Sequence, residues 1–258
     1  MAAIKLSACI EMIYHQVPEF PERIARVADC GLQAFEFWGW KNKDLDAICA
    51  KAKETGMTLA GFCCENVGAL VDPANTCTWV EGAKESILKA KEVGAPTLIV
   101  TTGNEMADVS IWAQHDSIVS GLRGIAPFAE DHGITLVLEP LNIAVDHKGY
   151  FLSSSAEGFD IVRAVNSPSV KLLYDIYHQQ ITEGNLIATI TANIDLIGHF
   201  HVADVPGRNE PGSGEINYAN VFKAIRETSY DRYVGLEFRP TGCSRDALEA
   251  VKKLAGVA

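Results

Sequence analysis

Four runs in the second half of the chain set an acid or a histidine inside an otherwise apolar segment. They are TLVLEPLN with Glu139, KLLYDIYH with Asp175, HFHVAD with His199 and His201, and YVGLEFRP with Glu237. A carboxylate in such a setting is costly unless it is paired or bound to a metal. Each residue alone has an ordinary explanation: Glu139 or Glu237 as a salt-bridge partner, Asp175 as a helix cap or a partner of Lys171 or Arg163, His201 as a satisfied core histidine. Four of them at the ends of successive segments point instead to one shared ligand set. Glu139, Asp175, His201 and Glu237 are hard and mostly anionic donors. That set suits Mn2+ or Mg2+, with Co2+ or Ni2+ also fitting, better than a thiolate-rich zinc site. His199 lies two residues before His201, on the same face of a strand, and competes for the role. His201 is preferred because it is nearer the C-terminal end.

The segment after the histidines, DVPGRNEPGSGEINY, is rich in Pro and Gly and carries Arg208. A loop of that length can cover a pocket, and its guanidinium offers a fork of donors to a substrate carboxylate or hydroxyl. The plainer alternative is a solvated arginine in a turn. Trp38, Trp40, Phe62 and Trp112 read as packing residues, and the Cys63-Cys64 pair, with no base beside it, as structural.

Residues this far apart need a scaffold that returns them to one place. Eight apolar β-like runs recur, over Leu6–Ile13, Ala34–Gly39, Thr58–Glu65, Thr97–Gly103, Thr135–Leu141, Val170–His178, His199–Asp204 and Tyr233–Pro240. Runs such as Leu98-Ile99-Val100 are apolar without alternation, as in parallel strands buried on both faces. Helical patterns lie between them, stopping at Gly31, Gly56, Gly94 and Gly133, and one opens on the serines of SSSAEGFDIVRAV. Eight βα units in one undivided chain, residues 1–258, predict an α/β protein forming a single (β/α)8 TIM barrel. A doubly wound open sheet is the alternative, although no GxGxxG or P-loop follows any of the strands. In a barrel the strand C-termini form the site, and that is where the four ligand candidates fall.

The formal net charge of -11 opposes phosphate backbones and anionic membranes, so neither nucleic acid nor a membrane is expected as a partner. A small anionic substrate is still compatible with a local cation, and a homo-oligomer is compatible too. Seven cysteines without a CxxC pair indicate a reducing, cytoplasmic setting. No stretch reads as a signal peptide or a membrane span.

The runs LEPLN, YDIYHQQITEGNL, GHFHVADVPGRNEPGSGEINY and YVGLEFRP, in this order and spacing, resemble the blocks of a known family. It is that of the hydroxypyruvate isomerases and ketose 3-epimerases, in the xylose-isomerase-like TIM-barrel superfamily. The likeness spans nearly the whole chain and is strongest from Thr135 to Pro240. GHFH is as in the epimerases, while ADVPGRNEPGSGEINY is similar to the isomerase loop. The resemblance implies one divalent metal, Mn2+ or Mg2+ foremost, on Glu139, Asp175, His201 and Glu237. It implies that Glu139 and Glu237 are also the catalytic proton-transfer pair, and that His178 and Arg208 bind substrate. The expected activity is a metal-dependent isomerisation of a small hydroxy-keto acid, such as hydroxypyruvate to tartronate semialdehyde, through an enediolate. A 3-epimerase of free ketoses is the alternative. An endonuclease of the same superfamily and a non-catalytic binding module fit the charge and the paired glutamates less well.

Overall fold

A computed structural model describes residues 4–65 and 68–257. Eight parallel strands close into a ring in sequence order: β1 Lys5–Cys9, β2 Ala34–Glu36, β3 Thr58–Cys63, β4 Thr97–Val100, β5 Thr135–Leu138, β6 Val170–Asp175, β7 Ile197–Val202 and β8 Tyr233–Leu236. The ring shuts where β1 pairs with β8, with Ser7 opposite Gly235. The open doubly wound sheet is thereby excluded.

Helices fill each return: α1 Phe20–Ala28, α2 Leu45–Thr55, α3 Thr76–Val93, α4 Ile111–His132, α5 Ser155–Val165, α6 Ile176–Thr182, α7 Leu186–Ala192, α8 Tyr218–Arg226 and α9 Ser244–Ala255. Their ends follow local chemistry. Ser154 accepts the Glu157 N–H and opens α5, while Gly56 and Gly133 adopt the left-handed conformation that stops α2 and α4.

Alternation along the strands sorts side chains into two layers. Leu98, Leu136, Leu138, Leu172, Tyr174, Phe200 and Leu236 face the helices and join the main core. The intervening Ile99, Val137 and Leu173, with Cys63 against them, form a separate buried cluster that fills the barrel interior. Two residues further along the same strand faces come Glu139 and Asp175. The period of two therefore lifts the polar residues onto the mouth of the barrel, above an apolar floor.

The strands are shorter than the apolar runs suggest. β6 ends at Asp175 rather than His178, because the Asp175 carboxylate takes the N–H groups of Tyr177 and His178 and starts α6. His178 is consequently a helical residue. β7 ends at Val202, and Asp204 instead anchors the next loop by accepting from Val205, Gly212 and Ile216 N–H.

Candidate metal centre

Glu139 and Glu237 each stand one residue past a strand, Asp175 ends β6, and His201 lies within β7. One ligand atom from each falls within 4.8 Å of the other three, and all four residues are buried. His201 Nδ1 is 3.2 Å from Glu237 Oε2 and 3.5 Å from Glu139 Oε1. Three carboxylates crowded around one imidazole nitrogen repel one another unless a cation lies among them. His201 Nδ1 has no hydrogen bond of normal geometry there. The donor set, the crowding and that unsatisfied nitrogen fit a divalent ion.

Asp175 combines both roles weighed for it. Its Oδ1 caps α6, at 2.8 Å from Tyr177 N and 3.2 Å from His178 N, and Oδ2 is left to face the cluster. Burial pushes its carboxyl up, against the pull of Arg208 and His201. Burial opposes the Glu237 charge as well, but His201 and Arg208 outweigh it and hold that carboxyl well below the usual range. Burial likewise disfavours a charged His201, yet Glu237 and Glu36 raise its affinity for a proton well above normal. The pocket is thus strongly cation-seeking.

Arg208 sits in the loop between β7 and α8, with a left-handed φ of 57°. Its Nη2 donates to Glu237 Oε2 and stands 3.5 Å from Asp175 Oδ2, and its guanidinium lies over the Tyr177 ring at 5.1 Å. It is a mostly buried member of the site rather than a solvated turn residue. The loop is also held at its neck, where the Arg208 carbonyl accepts from Arg239 N–H at 2.8 Å.

His178 is fully buried at the rim. Asn142 approaches its Nδ1 with the backbone N–H at 3.2 Å and the side-chain amide at 2.6 Å. Accepting there leaves the ring proton on Nε2, which has no other hydrogen bond and stands 3.5 Å from Asp175 Oδ2. Burial, aided by Arg208, drives the His178 pKa down to about 3, so the ring is a neutral donor.

His199 does not join the four. Its Nε2 meets Glu36 Oε2 at 3.1 Å, one layer below. Glu36 is a residue that the sequence reading passed over, although AFEFW shows the same buried acid at a strand end that drew attention to Glu139. Trp38 is a correction: its indole N–H donates to Glu237 Oε1 at 2.7 Å, so it is more than packing. Trp40 and Phe62 are buried in the core, and Trp112 is 79% exposed. Burial pushes the Cys64 thiol up to about 12, in keeping with an inert cysteine.

Residues 24–254 match the sequence profile described as "Xylose isomerase-like TIM barrel". The hydroxypyruvate isomerase of Escherichia coli strain K12 is 30% identical, over 92% of this chain and 94% of that one. A 2-oxo-tetronate isomerase of Pectobacterium atrosepticum is 27% identical, over 95% of each. Among solved structures, a protein of Brucella melitensis titled AP endonuclease, family 2, superposes with a TM-score of 0.91 at 26% identity, covering 98% of this chain and 99% of that one. No described helix is long and apolar enough to cross a membrane. The chain belongs to the xylose isomerase-like TIM barrel family, and its near full-length curated relatives place it among that family's isomerases.

Proposed function

We propose that this isomerase is metal-dependent and acts on a small hydroxy-keto acid, hydroxypyruvate or a close analogue such as 2-oxo-tetronate. The observation that carries the reading is the buried quartet Glu139, Asp175, His201 and Glu237 with Arg208 fixed at its rim. The quartet would hold one divalent ion, Mn2+ or Mg2+ foremost, with Co2+ as a further fit. When bound, that ion supplies positive charge beside the substrate carbonyl as its oxygen gains electron density.

The remaining work falls to the chain's own side chains. A proton alpha to a carbonyl is weakly acidic, so a carboxylate must stand ready to take it and an acid to return one. Glu139 and Glu237 are the pair for that exchange. Delivery to the neighbouring carbon exchanges ketone and aldehyde through an enediolate. The His178 Nε2–H is aimed into the site and suits a substrate oxygen. Arg208 supplies the cation that an anionic substrate needs in a chain of net charge -11.

A free ketose has no carboxylate for Arg208, and an abasic DNA strand must approach a strongly acidic molecule. The reading is tested with metal-stripped protein reloaded with Mn2+ or Mg2+. Hydroxypyruvate, 2-oxo-tetronate, free ketoses and abasic-site DNA are compared in parallel. Metal-dependent turnover of the hydroxy-keto acids is expected. Turnover only of ketoses or only of DNA, or equal turnover of the acids without metal, would overturn it.

A further inference from the structure

Below the quartet lies a second buried polar group that the proposed chemistry leaves unused. Ser7 on β1, Glu36 on β2 and His199 on β7 are all at most 3% exposed. Among the described residues, the ion-pair partners of Glu36 are His199 and His201, with no lysine or arginine. Its two oxygens are divided. Oε2 accepts from Ser7 Oγ at 2.6 Å and meets His199 Nε2 at 3.1 Å. Oε1 is left for His201 Nε2, 2.8 Å away in a bent contact.

We propose that Glu36 is a positioning residue for His201, fixing the tautomer that keeps the proton on Nε2 and turns Nδ1 toward Glu139, Asp175 and Glu237. The inference rests on the metal site proposed above. The two atoms are 2.8 Å apart without normal hydrogen-bond geometry, and because an ionised carboxylate only accepts, that approach favours a proton on the imidazole Nε2. The other nitrogen then offers its lone pair to whatever cation stands among the three carboxylates. Histidines that bind metals regularly donate their second N–H to a carboxylate in this way, which orients the ring and raises its basicity.

The neighbouring strand makes room for the pair. Gly235 on β8 lies opposite both Ser7 and His201 in the strand registers. A Cβ at that position would stand 2.6 Å from His201 Cδ2 and within contact distance of the Glu36 carboxylate. Only glycine leaves that space open. Four strands, β1, β2, β7 and β8, thus contribute to a support under one imidazole.

Glu36→Gln keeps the shape and removes the charge. Mn2+ binding is measured by calorimetry, and the tautomer of His201 by 15N NMR of the metal-free protein at a pH high enough to leave the ring with a single proton. Wild type should show a protonated Nε2. Glu36→Gln should raise the Kd for Mn2+ about 10- to 100-fold, as losses of such supporting carboxylates do elsewhere, and change the ring-nitrogen shifts of His201. Ser7→Ala, which touches only Oε2, should change the Kd less than about threefold. A Glu36→Gln protein with wild-type Kd and wild-type His201 shifts overturns the role. If wild type binds no Mn2+, the metal reading fails, and the NMR spectrum still decides: an unprotonated Nε2 in wild type overturns the positioning role. Should Glu36→Gln not fold, Glu36→Asp, with its retracted carboxylate, takes the same two measurements with the same outcomes.

Discussion

The Trp38 indole donates to Glu237 Oε1 across 199 residues of sequence, joining the segment after β2 to the segment after β8. The second oxygen of Glu237 takes Arg208 and faces His201. One carboxylate therefore has each oxygen fixed by a different partner, which restricts how it can turn toward a substrate carbon. Trp38→Phe keeps the ring and deletes the N–H. Trp38 is 41% exposed, so the loss should fall at or below the low end for a hydrogen bond to a charged group, about 1.5 kcal/mol or tenfold in kcat/KM. Steady-state kinetics with a thermal melt would check it. Unchanged kinetics would return Trp38 to a packing role.

Asp175→Asn separates the two jobs of this residue. Asparagine caps helices as well as aspartate does, so α6 should keep its N-terminus and the melting temperature should shift little. The lost charge falls on Oδ2, which faces the cluster. Most of the bound metal, counted by atomic absorption, and most of the turnover should be lost. Full metal content and full turnover in this variant would remove Asp175 from the ligand set.

Glu139→Gln and Glu237→Gln should each lower turnover by about 10^2-fold or more, the usual weight of general acid–base catalysis. Both residues belong to the cluster as well, so rate alone does not separate proton transfer from metal loss. Turnover in D2O does. Wild-type protein should place solvent deuterium on the substrate carbon, seen by mass spectrometry. A product free of deuterium would indicate direct hydride movement between carbons and end the proton-transfer assignment.

Arg208→Lys addresses substrate charge. A lysine keeps the cation but not the planar fork, and it cannot reproduce simultaneous contact with Glu237 and a substrate carboxylate. The expected cost on hydroxypyruvate is about 1.5–3 kcal/mol, roughly ten- to hundred-fold in kcat/KM, with a smaller loss on a free ketose. Equal losses on both substrates would favour the epimerase alternative.

Several of these residues were legible in the sequence for a reason that the barrel makes plain. Glu139, Asp175, His201 and Glu237 each follow by two the residue below them on the inner face: Val137, Leu173, His199 and Gly235. An acid after a short apolar run is visible without coordinates. Strand ends were less so. Runs such as YDIYH stay apolar beyond the point where Asp175 turns the chain into a helix, so hydropathy continues where hydrogen bonding changes partner. The choice of His201 over His199 rested on depth along the strand, and the structure brings only His201 into the quartet. Glu36 carried the same signal as the other acids but lies in a three-residue strand of the first half. Trp38 and Asn142 carried none. Their contacts to Glu237 and His178 exist only once the ring has closed, and no local spacing encodes that.

The pairing of β1 with β8 bears on how the site could be assembled from pieces. All four members of the quartet lie in or just after β5–β8, yet Trp38 and Glu36 arrive with β2. A fragment ending before β5 would carry no member of the quartet. A fragment beginning there would carry all four, without the indole above Glu237 or the carboxylate below His201. If the two fragments were produced separately and mixed, tighter ion retention would register their reunion, because the second piece holds the four ligands without the supports that the first supplies. The seam between first and last strand is in this sense a clasp, and an ion held more tightly with β2 in place would resist opening of the ring by that difference in its binding free energy.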